Sequence, residues 1–262
     1  MSPPVDALAS LDASDGDLGR ELPAVVGEHG AAIVRGVDVA DDEALLAVIG
    51  LVAEPSGVGN GGELIFEVTP RPDGGDRSGR RAAFELHTDS TFLPEPHDVI
   101  ALGCLVAAEG SGQSLVAHVD SVRERIAVRE GEAVLAELEL PAFPFVLEPP
   151  GAPEATAVLL PILRARKEGY GVRYREDVMQ RLRAAGVPMT DTAAGALASF
   201  ARVVAEEGLP QSFTLGPGDL LVVDNHRVLH GRRSVHEASS RLLRRVKAFR
   251  RSATNGQQSD PR

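Results

Sequence analysis

Residues 216–232 read Gly216-Pro-Gly-Asp-Leu-Leu-Val-Val-Asp-Asn-His-Arg-Val-Leu-His-Gly-Arg232. Gly216-Pro-Gly-Asp is a tight turn, and Leu220-Leu-Val-Val is a short apolar run of the kind buried on both faces of a sheet. Directly after it come two histidines, His226 and His230. Eleven residues past His230 is Arg241, and four further on is Arg245, in a segment (242–249) that reads as a last strand. In a strand, Arg241 and Arg245 share a face, and two guanidiniums there can each take a carboxylate bidentately. The competing reading is a solvated basic run, because Arg244, Lys247, Arg250 and Arg251 stand in the same segment.

Working back toward the N-terminus, Phe84-Glu-Leu-His-Thr-Asp-Ser-Thr-Phe92 carries His87 and Asp89 two residues apart. In an extended chain they point to one face and can grip one metal ion. A third ligand must come from elsewhere, and His97, His118, His226, His230 and His236 are the candidates. Two histidines and one carboxylate occupy one face of an octahedral ion and leave the other face open to small molecules.

The remaining pattern is strands interrupted by helices. Strand-like runs occur at 31–36, 64–68, 99–106, 114–119, 143–147 and 156–160. Apolar stripes predict helices at Leu18–Val26 (stopped by Gly27 to Gly30), behind Asp41-Asp-Glu up to Pro55, around Val178–Leu182, and at Leu197–Val204 opened by Thr190. Without regular βαβ alternation, this predicts a mainly β sandwich or barrel with flanking helices. Residues 71–82 form a polar, glycine-rich loop and a candidate lid, and the tail 252–262 is polar and expected to be flexible. No linker divides residues 1–251, so one domain is expected.

Composition narrows the function. The chain has 262 residues, 38 acids against 27 bases and a net charge of −11, which disfavours a phosphate backbone as partner. Tryptophan is absent and aromatics are 4%, leaving little for base stacking. Cys104 alone supports neither an internal disulfide nor a cysteine metal site. No window approaches the roughly 18 apolar residues of a membrane span, and Met1-Ser-Pro-Pro-Val-Asp6 has no signal-like pattern. A cytoplasmic protein acting on a small molecule is the expectation.

The two blocks together, His87-Thr-Asp-Ser-Thr-Phe and Gly218 to Arg232 followed by Arg241-Leu-Leu-Arg-Arg245, resemble the Fe(II)- and 2-oxoglutarate-dependent oxygenases of the taurine dioxygenase (TauD/TfdA) group, which includes clavaminate synthase-like amino-acid hydroxylases. The likeness covers roughly residues 15–251. It implies a double-stranded β-helix, the cupin-like jelly roll, with Fe(II) held by His87, Asp89 and His230. It implies that Arg241 and Ser114, in Ser111-Gly-Gln-Ser, hold the distal carboxylate of 2-oxoglutarate, and that Arg245 holds an acidic group of the substrate. His226 falls on a non-ligand position, Asn225 orients the loop, and His97 and His118 are ordinary satisfied histidines. The implied reaction consumes O2 and 2-oxoglutarate, releases succinate and CO2, and hydroxylates a C–H bond of a small acidic or amino-acid-like substrate. Asp89 argues against halogenation, for which relatives lose the carboxylate. Desaturation or cyclisation of a carrier-bound or larger substrate uses the same site. A zinc hydrolase on the same triad has no use for Arg241, and a non-catalytic ligand-binding jelly roll releases no succinate. Glu67, Glu85, Ser90 and the 71–82 loop are either pocket walls or scaffold.

Overall fold

The computed structural model describes residues 8–70, 77–149, 151, 154–167 and 169–251. In chain order the elements are β1 (Ala9–Asp12), α1 (Leu18–His29), β2 (Ala31–Arg35), α2 (Asp42–Gly50), β3 (Glu54–Pro55), β4 (Ile65–Val68), β5 (Phe84–His87), β6 (Val99–Val106) and β7 (Ser114–His118). There follow α3 (Val119–Arg129), α4 (Glu132–Leu138), β8 (Phe143–Leu147), β9 (Thr156–Leu160), β10 (Leu163–Ala165), β11 (Tyr170–Val172), α5 (Glu176–Ala184), α6 (Asp191–Val204), β12 (Gln211–Phe213), β13 (Leu220–Asp224), β14 (Val228–Arg232) and β15 (Leu242–Phe249).

Two sheets face each other. The larger runs β1-β2-β13-β6-β15-β3, with β4 also on β15, and the smaller runs β12-β7-β14-β5. Apart from β1 with β2, the pairings within these sheets are antiparallel. This is the double-stranded β-helix expected from the sequence.

The period-2 alternation of the strands sorts side chains into layers. On β2 and β13, Ala32, Val34, Leu220 and Val222 pack under α1 and α2, against Leu22, Val26, Leu45 and Ile49. Their neighbours Ala31, Ile33, Leu221 and Val223 turn inward and meet Val116 and Val228 of the smaller sheet. The outer face of that sheet, through Leu86, Ala117 and Leu229, is covered by Val122, Ile126, Leu135, Phe200 and Val203 from α3, α4 and α6. The space between the sheets is therefore closed on both sides by helices.

Several boundaries differ from the sequence expectation. Gly27 does not stop α1; the helix runs to His29, and Gly30 takes the left-handed C-cap (φ 78). That position also tolerates no side chain, since a Cβ on Gly30 would lie 2.6 Å from Val228. The second helix ends at Gly50, five residues before Pro55. Helices α3 and α4 were not anticipated, although Val119, Val122 and Ile126 form a buried stripe and His118 Nδ1 accepts from the Asp120 N–H as an N-cap. Thr190 caps α6 as expected, accepting from the Ala193 N–H. Of the 71–82 loop, residues 71–76 lie outside the described residues, as does the tail 252–262. Among the described residues no helix is long and apolar enough to cross a membrane.

Candidate metal centre

His230 and His87 are register partners on β14 and β5, so both side chains enter the space between the sheets. Their rings lie 4.5 Å apart. The register shifts just beyond this pair: Arg232 pairs with Phe84, so three steps on β5 match two on β14. Such a bulge rotates the bulged strand locally. It brings Phe84 under His87, with the rings stacked at 3.8 Å. It also turns the Glu85 carbonyl onto His87, whose Nδ1–H donates to it over 2.8 Å. A carbonyl only accepts, so Nδ1 carries the proton and Nε2 keeps its lone pair. Gly231 makes the bulge possible, because a Cβ there would sit 2.6 Å from the Phe84 carbonyl oxygen.

Asp89 lies past the end of β5, in a turn rather than in the strand. Its carboxylate nevertheless reaches the pair: Oδ1 is 3.4 Å from His87 Nε2. Asn225 fixes the turn from below, accepting from the Asp89 N–H (2.8 Å) and donating to the Asp89 carbonyl (3.0 Å). Ser90, next in the turn, is the one non-glycine residue at positive φ among those described (φ 59). One ligand atom each from His87, Asp89 and His230 lie within 4.8 Å of one another, and all three residues are buried.

Charge and burial shape the donor set. Burial pushes the Asp89 carboxyl up, but the positive charges of Lys247 and Arg245 hold it well below the usual carboxylate range. His230 is pushed down to about 3 by burial and by the neighbouring His87. Its Nδ1 is buried with no hydrogen-bond partner among the described residues. The centre thus offers a neutral His230 imidazole, a His87 Nε2 lone pair left by the proton on Nδ1, and an ionised carboxylate, the donor forms that a divalent cation requires. Oxygen and imidazole donors with no thiolate suit Fe(II).

A cavity opens beside the triad, lined by Ser114, Arg241, Leu243 and Arg245 among others. Arg241 is buried, and burial beside Arg232 lowers its pKa to about 10. Neither the Arg241 guanidinium nor the Ser114 hydroxyl makes a side-chain hydrogen bond or ion pair among the described residues, although Ser114 is also buried. Arg232 is different: its guanidinium donates to the carbonyls of Ser78, Arg80, Ala82 and Arg233, which ties the segment after residue 76 to the barrel. Arg245 lies 3.5 Å from Asp89 Oδ2, with its guanidinium over the Phe66 ring at 5.0 Å.

The solvated-run reading of residues 241–251 fails. Arg241 and Lys247 are buried, Arg244 turns to the outer face to bind the carbonyls of Val39 and Ala40, and Arg250 pairs with Asp224 at 2.9 Å. Of the alternative ligands, His226 pairs with Asp98 (3.1 Å) and His236 is exposed. His97 and His118 are satisfied at one nitrogen only: Nδ1 of His97 bonds Ser90 Oγ at 2.7 Å, while Nε2 of each is buried without a partner among the described residues. Glu67 and Glu85 are exposed, and Glu85 acts through its backbone. Sequence reasoning missed Lys247, the bulge and Gly231; the glycine directly after His230 was the available signal.

A double-stranded β-helix with two histidines and a carboxylate meeting between its sheets defines the class of mononuclear non-haem metal proteins. The family model described as "Taurine catabolism dioxygenase TauD, TfdA family" matches residues 3–247, and the chain belongs to that family. It is 27% identical over 161 residues to an L-lysine 3-hydroxylase of Catenulispora acidiphila, an alignment covering 59% of this chain and 41% of that enzyme. The match thus spans less than half of that relative's length. Among solved structures, asparagine oxygenase in complex with Fe(II), hydroxyasparagine and succinate aligns with a TM-score of 0.70 at 22% identity, over 90% of this chain and 80% of that one. The non-haem iron oxygenase OrfP in complex with Fe and alpha-ketoglutaric acid aligns with a TM-score of 0.67 at 19% identity, over 93% and 94%. At these identities the likeness is one of fold.

Proposed function

We propose that this protein is an Fe(II)- and 2-oxoglutarate-dependent oxygenase that hydroxylates a C–H bond of a small, carboxylate-bearing, amino-acid-like substrate. One observation carries the reading: a buried His87–Asp89–His230 cluster stands beside a buried guanidinium, Arg241, that has no counter-ion among the described residues. A hydrolytic metal site gives no reason for that guanidinium. A keto acid with a distal carboxylate does, because an unpaired buried cation costs several kcal/mol. The lysine hydroxylase, the asparagine oxygenase and OrfP, which has also been solved with Fe, succinate and (3S)-hydroxy-L-Arg, support an amino acid as the substrate class.

In this reading His87, Asp89 and His230 would hold the iron. When bound, the iron supplies oxidative decarboxylation of the keto acid by O2, coupled to hydroxylation of the substrate. The protein's own residues orient and exclude water. Arg241 pairs with the distal carboxylate of 2-oxoglutarate and Ser114 donates its hydroxyl to the same group. Arg245 reaches from the Asp89 side of the cavity toward an acidic group of the substrate. The Glu85 carbonyl keeps the His87 proton on Nδ1 throughout. The walls formed by Phe84, Leu102 and Leu243 are apolar and keep the centre dry. A ferrous site and the buried thiol of Cys104 suit a reducing compartment, and we place the protein in the cytoplasm.

The test is anaerobic loading with Fe(II) and 2-oxoglutarate, then O2, with succinate followed across a panel of amino acids and small dicarboxylic acids. Substrate-stimulated succinate with a product 16 mass units heavier is expected from the gain of one oxygen atom. Hydrolysis of an ester or amide without succinate would overturn the reading.

A further inference from the structure

On β15, Leu243, Arg245 and Lys247 alternate toward the space between the sheets, while Val246 and Ala248 pack under the helices. The Lys247 side chain is 8% exposed, and its Nζ lies 3.9 Å from Asp89 Oδ2. Arg245 reaches the same oxygen at 3.5 Å. The other oxygen, Oδ1, is the one that faces His87. Arg245 also lines the cavity, where an incoming anion competes for it, whereas Lys247 is not among the residues lining that cavity. Lys247 sits behind Asp89, with its ammonium 5.8 Å from the centre of the Phe92 ring.

Burying an ammonium is costly, and this one stands within ion-pair distance of the Asp89 carboxylate. A carboxylate can bind a divalent ion through one oxygen or through both. Bound through both, Asp89 would occupy a coordination position that the keto acid or O2 needs. We infer that Lys247 is a positioning residue that ties up Asp89 Oδ2 and confines the aspartate to binding through Oδ1. The inference rests on the iron reading proposed above.

The test uses the full chain under anaerobic conditions, comparing wild type with Lys247→Met and Lys247→Arg. Fe(II) affinity is measured by chelator competition. 2-Oxoglutarate affinity is measured from the visible charge-transfer band that forms when the keto acid joins a ferrous centre. Lys247→Met removes a nearby positive charge, so Fe(II) should bind as tightly as in wild type or tighter. 2-Oxoglutarate should bind at least about tenfold more weakly, the scale seen when residues orienting a metal ligand are removed, and the band should shift. Lys247→Arg should restore both. Lys247→Gln repeats the comparison should the methionine variant fail to fold. Unchanged 2-oxoglutarate affinity and an unchanged band in the uncharged variants would overturn the inference. So would a parallel loss of Fe(II) and 2-oxoglutarate binding with lowered thermal stability, which marks a merely structural lysine. Absence of the band in wild type is a separate result and counts against the iron reading itself.

Discussion

The side-chain amide of Asn225 grips the backbone of Asp89 on both sides, accepting from its N–H at 2.8 Å and donating to its carbonyl at 3.0 Å. The same amide nitrogen donates to the His97 carbonyl at 2.9 Å. Asn225 thereby joins the end of the central strand β13 to the turn that carries the carboxylate. Asn225→Ala should strip partners from three buried backbone groups, each loss costing about 1–3 kcal/mol. Asn225→Asp should be at least as damaging, because a carboxylate would face two carbonyl oxygens. Urea unfolding of the apo protein and Fe(II) affinity by chelator competition measure the two effects; an Asp variant with wild-type values for both would contradict the clamp.

Arg241 is expected to trade stability for ligand binding. In the apo protein its guanidinium is buried without a counter-ion among the described residues, so Arg241→Met should leave the apo unfolding midpoint unchanged or raise it. The same change removes a charge-assisted pair with 2-oxoglutarate worth about 1.5–3 kcal/mol, or about ten- to a hundredfold in affinity. Calorimetric titration with 2-oxoglutarate separates this from a general packing defect, which would lower stability and leave the affinity in place.

Gly231 should tolerate no side chain. A Cβ would meet backbone atoms at 2.6 Å (Phe84 carbonyl oxygen) and 3.1 Å (Glu85), and backbone cannot swing aside. Gly231→Ala is therefore expected to break the β14–β5 pairing that aligns His230 with His87, and to abolish the thermal stabilisation that a divalent metal confers on wild type. A metal-dependent shift in melting temperature of wild-type size would show that the bulge is dispensable.

His97 predicts acid sensitivity in the apo protein. Burial, with Lys247 nearby, lowers its pKa from 6.5 to about 4. The folded state therefore holds it neutral while the unfolded chain takes up a proton as the pH falls through 6.5. Its contribution is fully present above that value, is lost progressively down to about pH 4, and levels off once the folded state is protonated too. His230, lowered to about 3, acts in the same direction and extends the loss to lower pH. Each histidine adds at most about 1.4 kcal/mol per pH unit. Urea midpoints between pH 7 and pH 4 (about the span of the His97 shift) should fall less steeply in His97→Gln than in wild type. Equal slopes would remove the histidine from the account.

Much of the fold is written locally. Val99–Val106, Leu220–Val223 and Leu242–Phe249 are apolar and β-branched enough to read as strands, and they are three of the adjoining strands of the larger sheet. Residue type and spacing offered His87, Asp89 and five further histidines as candidate ligands, and the family resemblance singled out His230, which the fold brings beside the other two. Arg241 was singled out by the same resemblance, since residue type and spacing alone left it in a basic run.

Tertiary structure decided the rest. Lys247 and Arg244 look alike in a basic run, yet one is buried against Asp89 and the other binds carbonyls on the opposite face. Which face is the interior depends on β6 and β4 pairing with β15, residues far away in the chain. The bulge that aims the Glu85 carbonyl at His87 exists because β14 and β5 fall out of step at Gly231, and register belongs to a pair of strands rather than to either one. Residue type, spacing and the family resemblance together determined which side chains were candidates to bind a metal and a carboxylate. Strand pairing determined where those side chains point, because hydrogen bonds between distant segments set the register and the register sets the face.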